Sequence, residues 1–217
     1  MPAKSRPLPA LTVLAGVNGA GKSSIGGEAL QAAGAVYFNP DEYAHQLRSR
    51  ETLSQVKANA IAWAYGKAKL EAAIAQGTDF TFESTLGGKT ITNLLTRAAG
   101  KSHQIDIWFV GLKSVDLHLQ RVASRVAQGG HPIPEAAIRQ RWIGSHENII
   151  RLIPHVTTLR LFDNSPEVAE GEIPDPTLLL SIQNGQLAYP GPDVLSTTPQ
   201  WAKPIVAAAY RHFGLMG

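Results

Sequence analysis

The sequence predicts an α/β fold with a mostly parallel sheet and helices on both of its faces. Three observations support this prediction. Short apolar runs alternate with helical stretches over the first 165 residues, as in βαβ units. A glycine-rich loop stands between the first apolar run and the first helical stretch. The tail then changes character, because residues 177–189 alternate around Asn184 and Gly185, which is typical of a β-hairpin.

The predicted elements follow one another in regular order. Apolar or alternating runs predict strands at residues 10–15, 35–38, 79–85, 103–112 and 157–162. Helical spacing predicts helices at residues 22–33, from 41, at 52–76, 88–99, from 114 to a break at 129–132, at 135–153 and at about 199–213. In the third strand, alternation places Phe80 and Phe82 on one side and Glu83 and Thr85 on the other.

The domain organisation predicted from these elements is simple. A chain of 217 residues suits one domain. Residues 1–9 are predicted to be a flexible arm, 10–165 a P-loop kinase-like domain, and 166–217 an extension that packs on the same domain as a small β-hairpin and a helix.

Composition excludes several classes of protein. The chain has no cysteine, so disulfides, thiolate catalysis and cysteine zinc sites are excluded. No apolar run approaches the roughly 18–20 residues that cross a bilayer, and the first ten residues lack the apolar core of a signal peptide. We therefore expect a cytoplasmic protein with no membrane partner. A net charge of +3 is too small to indicate nucleic acid as a partner.

The glycine-rich loop carries the strongest functional signal. Residues 16–23, GVNGAGKS, match the phosphate-binding pattern G-x-x-x-x-G-K-S/T between a strand and a helix. Such a loop aims backbone N–H groups and a helix N-terminus at phosphate oxygens. Lys22 is expected to reach the β- and γ-phosphates of ATP, and Ser23 to hold Mg²⁺. The expected nucleotide-binding residues are Gly16, Asn18, Gly19, Ala20, Gly21, Lys22, Ser23 and Ser24.

Asp41 is a candidate catalytic residue, because it follows the second predicted strand and carboxyl ends of parallel strands line the ligand crevice. Its carboxylate would either accept the proton of an attacking hydroxyl or contact Mg²⁺ through water. Alternatively, it would cap the following helix.

Glu83 and Thr85 are candidate substrate-binding residues at the end of the third strand. A buried acid needs a partner, so Glu83 is expected to face the crevice, on the side of Asp41 away from the phosphate loop. The alternative is a partly exposed strand edge.

Four arginines bracket the predicted break at residues 129–132: Arg121, Arg125, Arg139 and Arg141. A helix–loop–helix lid that carries arginines would neutralise charge that develops during phosphoryl transfer. For each arginine, a surface role is the alternative. His131 is expected in a turn, with a structural or surface role.

These motifs together resemble the zeta-toxin family of P-loop kinases, in particular its Gram-negative members that are described as predicted ATPases. The segments that carry the resemblance are AGVNGAGKS at residues 15–23, FNPDE at 38–42, FESTL at 82–86, RVAQGGH at 125–131 with Pro134, and DNS at 163–165. The likeness covers residues 10–165, and the ordered combination is much more specific than the loop alone.

The resemblance implies a function. Members phosphorylate the 3′-hydroxyl of the sugar in UDP-N-acetylglucosamine, and a separately encoded antitoxin is implied as a partner. By position, Asp41 is similar to the catalytic base, Glu83 and Thr85 to sugar-nucleotide contacts, and Arg125 to a phosphate-binding lid arginine.

The sequence departs from the family pattern in two places. Ser84 replaces a glycine, and Gly130 and His131 stand where a second lid arginine is expected. Arg139 or Arg141 is the expected substitute.

The sequence therefore predicts an ATP-dependent kinase for a small-molecule hydroxyl. Three alternatives stay open: a kinase for another metabolite or an antibiotic, a nucleotide-dependent switch without an acceptor, and a polynucleotide kinase, which the low net charge disfavours.

Overall fold

The computed structural model describes residues 7–27, 37–166 and 175–216. Several predicted parts therefore lie outside the described residues. They are residues 1–6 of the arm, 28–33 of the first helix, 35–36 of the second strand, and 167–174 and 217 of the extension.

The described strands form one six-stranded sheet. They are β1 (Ala10–Ala15), β2 (Phe80–Ser84), β3 (Gln104–Gly111), β4 (Thr158–Asp163), β5 (Thr177–Gln183) and β6 (Gln186–Tyr189). Their order is β2-β1-β3-β4-β5-β6. The first four run parallel, and β5 and β6 are antiparallel to their neighbours. The predicted α/β fold with a mostly parallel sheet is confirmed.

The helices begin and end at residues that suit those positions. The described α-helices are α1 (Pro40–Arg50), α2 (Gln55–Gln76), α3 (Lys89–Ala98), α4 (Val115–Ala127), α5 (Glu135–Leu152) and α6 (Lys203–His212). The side chains of Ser54 and Ser114 accept backbone N–H groups at the starts of α2 and α4. Gly77 ends α2 with a φ of 64°, in the left-handed region that glycine adopts without strain.

Three predicted elements differ from the structure by more than three residues or in type. The described part of the predicted helix at residues 22–33 is a π-helical turn, Ser23–Gly27. In the described part of the predicted strand at residues 35–38, Phe38 forms a single parallel bridge to Phe82. The last helix starts at Lys203, because the residues before it form turns.

The main core lies on one face of the sheet. Strand residues of one alternation set, such as Val13, Ile107 and Leu161, are fully buried there. They pack against α2, α3, α5 and α6, for example against Leu95. Leu14 points to the opposite face, where the π-helical turn Ser23–Gly27 packs against it.

Two smaller clusters lie apart from this core. One joins α1 to α2 through Ala44, Ala58 and Ala62. The other lies between the phosphate loop, α4 and α5, with Val17, Val122, and Ile138 at its centre. In the described ranges, we find no helix that combines the length and apolar character needed to cross a bilayer.

Candidate active site

Steric constraints require glycine at several positions of the glycine-rich loop, as Gly16 and Gly21 show. Gly16 has a φ of 140°, and a Cβ there would collide with the carbonyl oxygen of Val110 on β3. Gly21 has a φ of 86°, and a Cβ would lie 2.5 Å from Nδ2 of Asn164. Both φ values lie where L side chains are strained, so the loop requires glycine for its conformation as well as for space.

Two side chains from other elements donate hydrogen bonds to backbone carbonyl oxygens of the loop. His118 on α4 donates from Nδ1 to the carbonyl oxygen of Asn18 at 2.9 Å. Asn164, just after β4, donates to the carbonyl oxygen of Ala20 at 2.9 Å. Burial lowers the pKa of His118 to about 4, against the opposing effect of its hydrogen bond to Asn18. His118 is therefore neutral near pH 7 and acts as a hydrogen-bond donor.

Glu83 connects the loop to the rest of the site. Its Oε1 lies 3.2 Å from Nζ of Lys22, and its Oε2 accepts hydrogen bonds from Ser23 Oγ at 3.1 Å and Asn39 Nδ2 at 3.2 Å. Glu83 and Lys22 are 8% and 7% exposed. The expectation that Glu83 lies away from the phosphate loop is wrong, because β2 pairs beside β1 and carries Glu83 to the loop. The exposed-edge alternative is also wrong.

Tyr37 borders the same cluster. Burial first, and the negative charge of Glu83 second, raise the pKa of the Tyr37 hydroxyl above its usual value. The hydroxyl therefore remains protonated and neutral at this position.

The cap of helix α1 is Asn39. Its Oδ1 accepts the backbone N–H groups of Asp41 at 2.9 Å and of Glu42 at 3.3 Å. The alternative that Asp41 caps this helix is therefore wrong. Asp41 instead occupies the first turn of α1, where the helix dipole favours a negative charge, and it lines a cleft together with Lys22.

The turn after β2 is fixed by its own side chains and by α5. Thr85 Oγ1 accepts the N–H of Gly87 at 3.3 Å, and Ser84 Oγ accepts the N–H of Leu86 at 3.1 Å. Asn148 on α5 donates to the carbonyl oxygen of Leu86 at 2.7 Å. Thr85 is thereby held at the wall of the cleft.

The four predicted lid arginines occupy different environments. Arg141 lines the cleft, and its Nη1 donates to Oδ1 of Asn18 in the phosphate loop at 2.7 Å. Arg139 lies on the exposed side of α5, where it pairs with Glu135 at 2.7 Å and Asp116 at 3.2 Å. The structure thus brings Arg141 to the site and places Arg139 among surface ion pairs.

Arg121 and Arg125 lie on α4, next to the loop. Arg121 is half-buried, and its positive charge contributes to the lowered pKa of His118. Arg125 has its Nε and Nη2 buried without a hydrogen-bond partner among the described residues. Those two donors are available to an anion.

A cleft of about 320 Å³ is lined by Arg141 among the four arginines, and Arg121, Arg125 and Arg139 do not line it. Its floor includes Lys22, Glu83 and Asp41, and one wall is the segment 131–134 between α4 and α5. His131 therefore borders the cleft, which its expected surface role did not anticipate. Ser23 and Ser24 lie at the exposed start of the π-helical turn.

Sequence reasoning missed several residues of the site. Helix α2 forms a second wall with Asn59, Trp63 and Lys67, which stand four residues apart in an otherwise alanine-rich helix. That spacing is the signal that could have found them. Asn39 could have been found as the asparagine before a proline at a helix start.

A protein-family model matches most of the chain. The model of the zeta toxin family matches residues 1–169. The chain belongs to the zeta toxin family. The resemblance predicted from the motifs is confirmed.

Similar proteins of this kind are known in sequence and in structure. An uncharacterised Haemophilus influenzae protein is 29% identical over 131 residues, which make up 58% of this zeta-toxin-family chain and 88% of that protein. The AvrRxo1-ORF1:ORF2 structure with ATP has a TM-score of 0.66 at 18% identity; the match covers 89% of this chain but 65% of that one. The PezAT toxin–antitoxin system of Streptococcus pneumoniae gives 0.58 at 14% identity, covering 97% and 88%.

At these identities, the two solved structures show a shared fold. The family match makes this chain a member of a family of phosphotransferases.

Proposed function

We propose that the protein transfers the γ-phosphoryl group of ATP to a hydroxyl of a UDP-linked amino sugar, with UDP-N-acetylglucosamine as the first candidate. The observation that carries this proposal is the cleft, in which the loop lysine Lys22, the carboxylate of Asp41 and the guanidinium of Arg141 line one space. A phosphate-binding cation, a base and a second cation are the groups that phosphoryl transfer requires.

The residues of the loop fit Mg²⁺. The Ser23 hydroxyl donates its hydrogen to Glu83, so its lone pairs are available to a cation. Oxygen donors of this kind are the ligands that Mg²⁺ prefers. When bound, Mg²⁺ would neutralise charge on the β- and γ-phosphate oxygens. Glu83, held by Lys22, Ser23 and Asn39, is assigned to organising the loop and thereby the metal site.

The transfer step follows from the groups in the cleft. The acceptor hydroxyl oxygen forms a bond to the γ-phosphorus of ATP while the bond from that phosphorus to the β,γ-bridging oxygen breaks, and ADP leaves. The hydroxyl proton passes to the carboxylate of Asp41. Lys22 and Arg141 stabilise the negative charge on the transferred group, and the buried Nε and Nη2 of Arg125, which lack a partner among the described residues, are further donors for it.

The acceptor is proposed from the family and from the outer part of the cleft. Thr85 and the neighbouring backbone offer hydrogen bonds to sugar hydroxyls. PezAT of Streptococcus pneumoniae is a chromosomal toxin–antitoxin system. By analogy, we propose a separately encoded antitoxin as a partner of this chain.

Mass spectrometry tests the function. The protein is incubated with ATP, Mg²⁺ and UDP-N-acetylglucosamine, and one added phosphate is expected on the sugar nucleotide. Asp41→Asn is expected to reduce this product by about 10²–10⁴-fold, because the amide does not accept the proton. ATP binding by Asp41→Asn, measured by calorimetry, should stay unchanged.

Two other results would change the proposed acceptor or the proposed reaction. A phosphorylated product from a metabolite extract, but none from UDP-N-acetylglucosamine, would retain the kinase and reject the sugar nucleotide. Slow ATP hydrolysis without any phosphorylated acceptor would indicate a nucleotide-dependent switch.

A further inference from the structure

The side chain of Asn39 makes hydrogen bonds in two directions. Its Nδ2 donates to Oε2 of Glu83 at 3.2 Å, and its Oδ1 accepts the backbone N–H of Asp41 at 2.9 Å. Glu83 in turn contacts Lys22 and Ser23 of the phosphate loop. A single amide group therefore connects the loop that holds ATP to the residue proposed as the base.

The backbone around Asn39 leaves this connection little freedom. The N–H of Phe38 donates to a carbonyl oxygen of β2 at 2.9 Å, and the carbonyl oxygen of Phe38 accepts the N–H of Glu83 at 2.9 Å. On the other side of Asn39, Pro40 begins α1 with a φ that its ring restricts. Because the chain is held on both sides of Asn39, a change in the contacts of Glu83 reaches the start of α1.

ATP changes the contacts of Glu83. The phosphates and the Glu83 carboxylate are both anions, so they compete for the three N–H donors of the Lys22 ammonium group. Glu83 is 8% exposed, so water is a poor replacement for a partner that its carboxylate loses. The hydrogen bond from Asn39 to Glu83 is then stronger, because it supports a buried carboxylate that shares Lys22 with the nucleotide.

We propose that Asn39 is a positioning residue that makes the placement of the base depend on the bound nucleotide. When ATP draws on Lys22, Glu83 holds Asn39 more firmly, and Asn39 fixes Asp41 at the start of α1. This inference rests on the proposed function, in which Asp41 is the base. It adds an order to the reaction, because an acceptor that binds before ATP meets a base whose position is not yet fixed.

Kinetics separate this role from that of a helix cap. Asn39→Ser retains a capping side chain, because Ser and Asn are about equally good caps, but its side chain is one bond shorter and does not reach Glu83. We expect the kcat for phosphorylation of UDP-N-acetylglucosamine to fall about ten- to hundredfold, as is typical of a slightly misplaced catalytic group. The KM for ATP and the Tm should stay close to those of the wild type.

Asn39→Asp is the second variant, in case Asn39→Ser does not fold. Its carboxylate has the shape of the amide and also caps a helix, but it repels Glu83 instead of donating to it. We expect this variant to lose at least as much kcat as Asn39→Ser. A wild-type kcat in Asn39→Asp would overturn the coupling.

Ser54→Ala is the matched control. Ser54 caps α2 by accepting the N–H of Lys57 at 3.3 Å, and it is not among the described residues that line the cleft. The substitution should lower the Tm and leave kcat unchanged. If kcat fell in Ser54→Ala as far as in Asn39→Ser, general destabilisation would explain both results and the coupling would be wrong.

Hydrogen exchange tests the coupling without any acceptor. A non-hydrolysable ATP analogue with Mg²⁺ should slow the exchange of the Asp41 N–H several-fold in the wild type, because Asn39 accepts that group. In Asn39→Ser, the analogue should slow this exchange much less. The N–H of Lys57, which Ser54 accepts, is the internal control and should not respond in either protein.

The outcomes separate the coupling from the proposed function. If UDP-N-acetylglucosamine is phosphorylated and Asn39→Ser keeps the wild-type kcat, or raises only the KM for ATP, the coupling is wrong and the function stands. If the sugar nucleotide is not phosphorylated but the analogue slows exchange at Asp41 in the wild type alone, the coupling stands and the acceptor is wrong. Equal slowing in both proteins, or none in the wild type, would also overturn the coupling.

Discussion

Glu83 is the residue on which the phosphate loop depends most, because its carboxylate contacts both Lys22 and Ser23 in a buried position. Removal of one partner from a buried ion pair costs about 3–5 kcal/mol. We expect Glu83→Ala to lower the free energy of unfolding by an amount in this range, and Glu83→Gln, which keeps the shape, by less.

ATP provides the control for this prediction. Its phosphates pair with the Lys22 that Glu83→Ala leaves without a partner, so ATP should raise the Tm of this variant more than that of the wild type. Thermal denaturation with and without ATP measures both shifts. Equal shifts would contradict a stabilising role of the ion pair.

Asn39 and Asp41 stand two residues apart and should respond differently to substitution. Asn39→Ala removes the cap of α1 and is expected to lower the free energy of unfolding by about 1 kcal/mol or more. Asp41→Asn should leave it nearly unchanged, because Asp41 is not the cap. Urea denaturation of the two variants measures this, and a large loss in Asp41→Asn would contradict the assigned cap.

At the scale of elements, helix α4 contacts the phosphate loop through the titratable side chain of His118, which hydrogen-bonds to the Asn18 carbonyl oxygen. The pKa of His118 is about 4 in the folded protein, against 6.5 for an ordinary histidine. Well above pH 6.5, His118 is neutral in both the folded and the unfolded protein, so its protonation does not reduce the free energy of unfolding. As the pH falls towards 4, the unfolded chain binds a proton that the folded protein excludes, so stability falls by up to about 3 kcal/mol.

Denaturant titrations at pH 7.0 and 5.0 measure this dependence. Burial also lowers the pKa of His146, which adds to the slope in the same direction. His118→Asn keeps a side-chain N–H donor but does not titrate, so its slope should be smaller than that of the wild type. An identical slope would exclude His118 as a source.

Helix α5 meets the turn after β2 at a glycine. A Cβ on Gly144 would collide with the carbonyl oxygen of Gly87. In a helix interior, alanine normally stabilises by roughly 0.5–1 kcal/mol relative to glycine, but here we expect Gly144→Ala to lower the Tm. Gly88→Ala is the control, because a Cβ at Gly88 meets nothing within 4 Å. A stabilised Gly144→Ala variant would show that the contact is loose.

Local pattern explains which elements the sequence could predict. The phosphate loop, the apolar stripe of α4 and the hairpin at Asn184 each depend on neighbours in the chain, so spacing alone indicates them. The contact of Glu83 with Lys22 depends on the pairing of β2 beside β1, and that order is set by tertiary packing. The spacing of Asn59, Trp63 and Lys67 places them on one face of α2, but the approach of α2 to Phe38 decides that this face borders the cleft.

At the scale of the whole molecule, the C-terminal part completes the core. β5 pairs with β4, and Ile182, Trp201 and Ile205 are buried in the main cluster. We expect a chain shortened to residues 1–169 to lose cooperative thermal unfolding, because it exposes this apolar surface. A chain ending at residue 213, which removes exposed residues, should melt like the wild type. Circular dichroism distinguishes the two, and cooperative melting of the shorter chain would show that the kinase part folds alone.

The separate alanine cluster between α1 and α2 bears on how such proteins diverge. Ala44, Ala58 and Ala62 join the two helices without belonging to the main core. Substitutions in this hairpin change one wall of the cleft, whereas His118 and Asn164, which hydrogen-bond to the phosphate loop, lie in other elements. On the proposed function, single substitutions in this hairpin can therefore change the acceptor preference while the phosphate loop continues to bind ATP. Homologues are expected to vary most between residues 43 and 70 and least at residues 16–23 and at Asp41.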